Sequence, residues 1–449
     1  MENLVIKGGK VVTPKGIVKA DLAIKEGKIA AIAKSQDLPR ADREIDVRGR
    51  YIFPGAVDAH AHIYDPKYVY REDFRTGTMA AAAGGVTTII EMVLQSPVDN
   101  PDRIREKIAV GEHESLVDFS LHAGMMNDKN VKRVPEIVRL GVASFKAFTC
   151  APYRVDEKTL SLIMEKVARH HGILNVHAED EETIKELTEK LKQEGRVDPL
   201  AHNESRPNIA EEKAVSHVIS LASSTGVHLH ISHLTTKEGL KLIEDAKHDG
   251  VHVTTETCPH YLVFTKHEVQ RRGPYLKVNP PLKSREDLNA LWNGLKAGTI
   301  DIVTSEHAPG TRDEKEMGWK DIWQAWGGLP GIETMLPILI SEGVNKGRLT
   351  PENLCSVLCE RPAKIFGLYP RKGAILVGSD ADLTVIDLKQ KRKVRSGELH
   401  HKCGWTPYEG MTLTGWPTMT IARGEVVVEN GEITGKSGFG KFVPMHMEG

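Results

Sequence analysis

The stretch GAVDAHAHI, residues 55–63, is an apolar run that carries two histidines two positions apart. On a β-strand, residues i and i+2 face the same way, so the imidazoles of His60 and His62 can reach one metal ion. An H-x-H pair by itself is a weak signal, because two unrelated buried histidines produce the same pattern. Its interpretation therefore depends on the polar residues that follow further along the chain.

Four later runs of the same apolar character also carry a polar residue near their C-terminal ends. They are VASFKAFT with Lys146, ILNVHAE with His177, VHLHISHL with His233 and IDIVTSEHAP with Glu306. In a barrel of parallel strands the active site collects at the C-terminal ends of the strands. We therefore expect these side chains and the His60–His62 pair to meet at one end of a barrel. His307 should face away from them if its strand continues.

Helix-like stretches separate these strand-like runs. In residues 156–172, DEKTLSLIMEKVARHHG, the apolar residues Leu160, Ile163, Met164 and Val167 recur at helical intervals. Repeated strand–helix units predict parallel strands, and about eight of them predict a closed (β/α)8 TIM barrel. No G-x-G-x-x-G opens a helix after the first strand, so a dinucleotide-binding open sheet lacks its usual mark.

The two ends of the chain have a different pattern of short β-branched runs broken by glycine turns, as in ADLAIKEGKIAAI and TIARGEVVVENGEI. We expect both ends to combine into one small β-sandwich domain beside the barrel. The predicted division is 1–51 for the N-terminal part of the β-sandwich, 52–372 for the barrel, and 373–449 for the C-terminal part and tail.

Composition excludes several classes of function. The 449 residues include 60 basic and 61 acidic side chains, with a formal net charge of -1, so no basic field favours nucleic acid. No apolar window is long enough for a membrane span, and no secretory signal is recognisable. The five cysteines are scattered and odd in number, which favours reduced thiols over disulfides. We expect a cytoplasmic protein without a nucleic-acid or membrane partner.

The chemistry of Glu306 and Lys146 adds to the metal interpretation. A carboxylate beside a metal can take a proton from bound water and pass it to a leaving nitrogen. Lysine is rarely buried without a reason, and desolvation lowers its pKa until the neutral amine can react with carbon dioxide. The resulting carbamate has two oxygens and could bridge two cations. A snorkelling or ion-paired lysine is the alternative reading of Lys146.

At these residues the chain resembles the cyclic amidohydrolases, which include hydantoinase, dihydropyrimidinase, allantoinase and dihydroorotase. The resemblance covers nearly the whole chain, and its motifs follow in order. They are PGAVDAHAH, AAAAGGVTTIIEM, FKAF, NVHAED, HISHL, ETCPHYL, KVNPPLK, RPAKIFG and VGSDADL. The family has a TIM barrel with two divalent metal ions, usually Zn2+, and attacks a cyclic amide with a water placed between them.

The resemblance implies a role for each matching residue. His60 and His62 would hold one ion, His177 and His233 the other, and an N6-carboxylated Lys146 would bridge them. Glu306 would bind the first ion and act as the catalytic base. The segment 316–334 and NKGRL after it look most like L-selective hydantoinases and allantoinases. The resemblance further implies a small cyclic amide substrate and a homo-oligomer, a tetramer or a dimer.

Three positions depart from the family pattern. Glu306 stands where the family base is normally aspartate, and Tyr153 lies further along the chain than the tyrosine that stabilises the oxyanion in hydantoinases. Tyr64 occupies the neighbourhood where dihydroorotases carry an arginine for the substrate carboxylate, which argues against dihydroorotate. Asn279 and the Gly327–Gly328 backbone match positions that meet the substrate ring. Two alternatives remain at this point, a dihydroorotase and a non-catalytic interaction protein of the same family.

Overall fold

The computed structural model describes residues 4–34, 37–38 and 41–447. The described residues before position 55 form a set of short strands. Glycine turns separate three of the six successive pairs of these strands, as the sequence predicts. They are β1 Leu4–Lys7, β2 Lys10–Thr13, β3 Gly16–Lys19, β4 Asp21–Lys25, β5 Lys28–Ala33, β6 Arg43–Asp46 and β7 Tyr51–Pro54.

The middle of the chain alternates strands with helices. The strands are β8 Ala56–Ala61, β9 Val86–Glu91, β10 Asp118–Leu121, β11 Ala123–Gly124, β12 Ser144–Phe148, β13 Ile173–His177, β14 His228–Ile231, β15 Val253–Thr257 and β16 Ile302–Val303. The helices are α1 Phe74–Ala83, α2 Pro101–Glu114, α3 Val134–Arg139, α4 Glu157–Ala168, α5 Glu181–Gln193, α6 Pro199–Glu204, α7 Asn208–Thr225, α8 Lys237–His248, α9 Pro259–Val263, α10 Lys266–Arg272, α11 Arg285–Ala297, α12 Arg312–Glu316, α13 Met335–Ile338, α14 Pro351–Cys355 and α15 Arg361–Ile365.

These strands form a closed parallel barrel. β8, β9 and β10 pair in parallel, and β11 to β16 form a second parallel run, with only His122 between β10 and β11. The ring closes where Ala61 bridges His307 in parallel and the backbone N–H of His62 donates to the carbonyl of His307 at 2.8 Å. The structure therefore confirms the predicted (β/α)8 barrel.

The apolar patterns explain why these segments form these elements. Every residue of β8 and β9 is buried, as expected for parallel strands covered on both faces. In α4 the four apolar residues at helical spacing are all buried. The side chain of Asp156 accepts the N–H of Thr159 and caps the first turn of this helix. The predicted helix is thus confirmed, and it ends before Gly172.

Both chain ends build the second unit. The last strands are β17 Leu383–Lys393, β18 Thr412–Ala422, β19 Glu425–Glu429 and β20 Glu432–Ile433. One sheet has the order β5-β4-β1-β6, and the other has the order β20-β19-β18-β17-β7-β2-β3. Ile6, Leu22, Ile52, Leu383 and Ile421 belong to a single core that both sheets share. A β unit made from both ends is therefore confirmed, while the exact boundaries at 51/52 and 372/373 stay predictions.

The C-terminal tail returns to the barrel. The N–H of Phe119 in β10 donates to Lys441, and the N–H of Val443 donates back to Phe119. Met445 donates to Gly141 at 2.9 Å.

Within the described residues, none of the helices is both long enough and apolar enough to cross a bilayer.

A buried ion cluster joins the barrel to the β unit. The ammonium of Lys372 lies 2.5 Å from Asp118 in β10, 2.7 Å from Asp382 and 3.0 Å from Asp380. These carboxylates raise the pKa of Lys372 above its ordinary value, although burial opposes the shift. Arg423 also contacts Asp118. The cluster holds together because the central cation is matched by several anions in a dry environment.

Replacing the central cation should destabilise the protein strongly. Lys372→Met removes the cation shared by Asp118, Asp380 and Asp382. We expect the free energy of unfolding to fall by about 3 to 5 kcal/mol. Urea denaturation followed by circular dichroism measures the change. Lys7→Met is the matched control, because the 2.7 Å pair of Lys7 with Glu44 is solvent-exposed. That control should lose less than about 1 kcal/mol, and equal losses would contradict the argument.

Candidate active site

One pocket at the C-terminal end of the barrel strands gathers most of the residues that the sequence singled out. The strands place them there because residues that follow parallel strands emerge at the same end of a barrel. The predicted site residues that line the pocket are His60, His62, Lys146, Tyr153, His177, His233, Asn279, Gly327 and Glu306.

Tyr64 and Gly328 are not among the lining residues of the pocket in the described part of the chain. The hydroxyl of Tyr64 donates to the carbonyl of Pro309 at 3.2 Å, and its ring meets Trp326 edge-on. A Cβ at Gly328 would lie 2.3 Å from the carbonyl oxygen of Ala308, so this glycine allows two backbone segments to pack closely. Substrate contact by these two residues stays a prediction.

The side chains of His60 and His62 are both fixed through their Nδ1 atoms. Nδ1 of His62 contacts the carbonyl of Met92 at 2.8 Å, and Nδ1 of His60 contacts the carboxylate of Glu256. When a carbonyl or carboxylate accepts from Nδ1–H, the lone pair of a neutral imidazole lies on Nε2. Burial lowers the pKa of both rings and so favours the neutral form. Both histidines can therefore offer Nε2 to the pocket.

His177 and His233 face one another across the pocket. Nδ1 of His177 lies 3.0 Å from Nε2 of His233, while Nε2 of His177 contacts Glu179 at 2.8 Å. Zinc–nitrogen bonds are about 2.0 to 2.1 Å long, so one ion can reach both facing nitrogens after a small outward shift. A histidine whose second nitrogen is held by a carboxylate is the usual arrangement around a protein-bound metal.

Lys146 is buried in the same pocket as the two histidine pairs. Its ammonium nitrogen donates to the hydroxyl of Ser232 at 2.7 Å. Burial lowers the pKa of Lys146 to about 8, although Glu256 and Glu306 oppose the shift. A measurable fraction of this amine is therefore uncharged near neutral pH, which is the form that reacts with carbon dioxide.

One oxygen of the Glu306 carboxyl group has no hydrogen-bond partner among the residues that the structure describes. Its Oε2 lies 3.3 Å from Nε2 of His260 without hydrogen-bond geometry, and both atoms are buried and unpartnered within the described residues. Burial raises the pKa of Glu306 well above its usual range. An unpaired buried carboxylate is costly unless a cation or ligand completes it. The donor set at this pocket, made of imidazoles and one carboxylate, thus fits a divalent metal such as zinc.

Several site residues were missed by the sequence reasoning. Glu179 contacts His177 and pairs with Arg206, which also lines the pocket. Glu256 contacts His60, and His260 lies beside Glu306. Glu256 lies near the C-terminal end of the apolar run VHVTTET, residues 251–257, and that position was a signal that could have found it. Glu179 and Arg206 lie on separate loops, and nothing in the local sequence pattern shows that they pair.

A barrel with imidazoles, a buried lysine and a carboxylate at its strand ends is the architecture of a metal-dependent hydrolase. The chain belongs to the amidohydrolase family, because the sequence model of that family matches residues 51–427. This family is metal-dependent, and the match confirms the predicted class of enzyme.

Individual relatives refine the position of the chain within the family. The solved L-hydantoinase (dihydropyrimidinase) of Arthrobacter aurescens superposes with a TM-score of 0.96 at 38% identity, covering 99% of this chain and 100% of that one. An allantoinase of Deinococcus radiodurans is 36% identical over 96% of this chain and 97% of its own length. A dihydroorotase of Methanothermobacter thermautotrophicus is 37% identical over 96% and 95%. The chain is thus similar to cyclic amidohydrolases of the hydantoinase and allantoinase type, and identity alone does not separate these from dihydroorotases.

The close packing at Gly328 gives a test of the pocket wall. Gly328→Ala places a methyl group against the backbone oxygen of Ala308, and we expect a loss of about 1 to 3 kcal/mol in the free energy of unfolding. Gly397→Ala is the control, since its Cβ would meet nothing within 4 Å. Urea midpoints of the two variants provide the comparison. A Gly328→Ala protein as stable as the parent would contradict this, because the backbone at Ala308 would then move aside at little cost in free energy.

Proposed function

We propose that this enzyme opens a cyclic ureide ring of the hydantoin or allantoin type by hydrolysing a ring amide bond at a centre of two divalent metal ions. The observation that carries the proposal is the set of four pocket histidines, three of which have one nitrogen held by a protein group and the other left for the pocket. The similarity to hydantoinases and allantoinases supports the same class of substrate.

The proposed ligand set divides between two positions. His60 and His62 bind one ion together with Glu306, and His177 and His233 bind the other. Zn2+ suits these nitrogen and oxygen donors, with cobalt or manganese as substitutes.

Lys146 is the proposed bridge between the two positions. Its pKa of about 8 leaves neutral amine available for N6-carboxylation, and the contact with Ser232 holds the nitrogen in place. The carboxylated side chain supplies one negative charge and two oxygens, so it can serve both ions. Its anionic form also offsets the positive charge that two cations bring to a buried pocket.

The chain's own residues then carry the proton and orient the ring. The bound ions would acidify the attacking water and polarise the ring carbonyl. The Glu306 carboxylate accepts a proton from that water as the new carbon–oxygen bond forms. It returns the proton to the ring nitrogen as the carbon–nitrogen bond breaks, which releases an N-carbamoyl acid or its equivalent.

Three further residues are proposed to meet the substrate. The Tyr153 hydroxyl is the proposed donor to the developing oxyanion, because Tyr153 lines the pocket and its ring centroid lies 5.1 Å from that of Phe148. Oδ1 of Asn279 is buried and unpartnered among the described residues, so it can accept a ring N–H. Gly327 keeps this amide accessible, since a Cβ there would lie 2.8 Å from Nδ2 of Asn279.

Dihydroorotate fits this pocket less well than uncharged rings. Its carboxylate needs a free cationic partner, and Tyr64 stands near the position where dihydroorotases carry their arginine. Arg206 lines the pocket, but its guanidinium is already paired with Glu179. Arg71 is likewise paired with Glu314 at 2.5 Å.

We further propose that the enzyme is cytoplasmic and forms a homotetramer or homodimer.

A metal and substrate panel tests the proposed function. Protein expressed with added Zn2+ should hold about two ions per chain by elemental analysis. Its kcat/KM for hydantoin or allantoin should exceed that for dihydroorotate by at least tenfold, with dihydrouracil as a further comparison. A larger value for dihydroorotate would overturn the substrate ranking. A chain that stays metal-free and inactive on all four rings would support the interaction-protein alternative.

The length of Glu306 gives a sharper test. Glu306→Gln should lower kcat by about 10²- to 10⁴-fold, because the general base is removed, while the histidines still bind metal. Glu306→Asp should be slower by on the order of a hundredfold, since the shorter acid is displaced by about one carbon–carbon bond. Steady-state rates at equal metal content provide the measurement. A faster Glu306→Asp enzyme would show that the site is not built around glutamate.

A further inference from the structure

Glu256, near the end of β15, touches groups that serve both proposed metal positions. Its carboxylate contacts Nδ1 of His60, accepts the backbone N–H of His233 at 3.2 Å and lies 3.3 Å from Nε2 of His230. The side chain is 1% exposed, so water does not compete for these contacts. One buried anion therefore links the first histidine pair to the second.

The orientation of His230 is fixed from its other side. Its Nδ1 lies 2.8 Å from the hydroxyl of Thr254, which also contacts Nε2 of His228 at 2.9 Å. With Nδ1 engaged in this way, Nε2 of His230 is held toward Glu256. The side chains of His228, Thr254 and His230 thus contact one another in series and support the Glu256 carboxylate from the interior of the barrel.

The contact with His233 has a particular consequence for the backbone. His233 has a φ of +38°, a left-handed conformation that side-chain-bearing residues rarely adopt. Such strain persists only where surrounding contacts impose it. The N–H of His233 donates to Glu256, so the carboxylate helps to hold the backbone that aims this imidazole at His177.

We infer that Glu256 is a positioning residue that orients one metal ligand of each ion, His60 through its ring and His233 through its backbone. The inference rests on the proposed two-ion centre. A carboxylate only accepts hydrogen bonds, which suits the imidazole and backbone N–H groups that surround it. It thereby keeps the Nε2 lone pair of His60 directed at the pocket and preserves the geometry of the His177–His233 pair.

Glu179 provides an internal comparison. It contacts His177 at 2.8 Å and Arg206, and both His177 and its facing partner His233 belong to the second proposed metal position. Losing Glu179 should therefore disturb one ion, whereas losing Glu256 should disturb two. This difference separates a residue that joins the positions from one that merely supports a ligand.

The experiment measures stepwise metal binding rather than activity. Parent, Glu256→Gln and Glu179→Gln proteins are stripped of metal and titrated with Co2+ against a chelator, and the absorption spectrum reports each binding step. In Glu256→Gln an amide NH2 replaces an acceptor oxygen and opposes one of the surrounding N–H groups. We expect both dissociation constants to rise by about 10- to 100-fold. Glu179→Gln should raise one of them by a similar factor and leave the other within about threefold.

Two further variants guard against a general loss of structure. Glu211→Gln alters another buried carboxylate, which accepts from the backbone and hydroxyl groups of Thr235 and Thr236. It should leave both dissociation constants unchanged, whatever its effect on the thermal unfolding of metal-free protein. If Glu256→Gln does not fold, Thr254→Val decides the matter. That variant removes the hydroxyl that orients His230 and should weaken both steps in the same pattern by a smaller factor.

The outcomes distinguish this inference from the proposed function. If the parent protein binds no Co2+, the proposed two-ion centre itself is overturned. A parent that binds two ions, beside a Glu256→Gln protein that binds both as tightly or weakens only one, overturns the role of Glu256 alone. Equal weakening by Glu211→Gln would likewise overturn it, because the effect would then belong to any buried carboxylate nearby.

Discussion

A histidine has two ring nitrogens, and only one of them can face a metal ion in a pocket. The other must find a partner inside the protein or remain buried and unsatisfied at a cost of about 1 to 3 kcal/mol. In this enzyme the carbonyl of Met92 and the carboxylates of Glu179 and Glu256 take that position. The arrangement of the site follows from this constraint, because each partner fixes which nitrogen its histidine turns to the pocket.

The barrel satisfies the constraint by bringing strands of distant sequence side by side. β13, β14 and β15 pair in parallel, which places Glu256 next to the end of the strand that leads to His233. Closure of the ring through the His62–His307 hydrogen bond brings the first and last strands into register. The β unit is joined to the barrel from outside by the buried cluster around Lys372, which links β10 to the segment before β17.

The sequence predicted the barrel and most of the polar side chains that line its pocket for clear physical reasons. His60 and His62 share a face because strands alternate with a period of two, and His177, His233 and Glu306 follow buried runs whose ends must meet. What the sequence could not provide were the contacts between those segments. The pairing of Arg206 with Glu179, and the burial of Tyr64 against Trp326, depend on how loops fold over the strand ends. Those contacts have no local periodicity from which to infer them.

Glu306 lies in a strained backbone conformation between two anchored neighbours. Its φ is +45°, and both neighbours are anchored: the N–H of Ser305 donates to Asp58 at 3.0 Å, and Nε2 of His307 contacts Glu72 at 3.0 Å. Anchors on each side hold the backbone in a strained conformation that costs on the order of 1 to 3 kcal/mol. These anchors oppose a retreat of the Glu306 Cα that would compensate for the extra methylene of glutamate. Its longer reach must be taken up by side-chain torsions, and the neighbouring ring of His260, with both nitrogens unpartnered among the described residues, borders the space into which they turn.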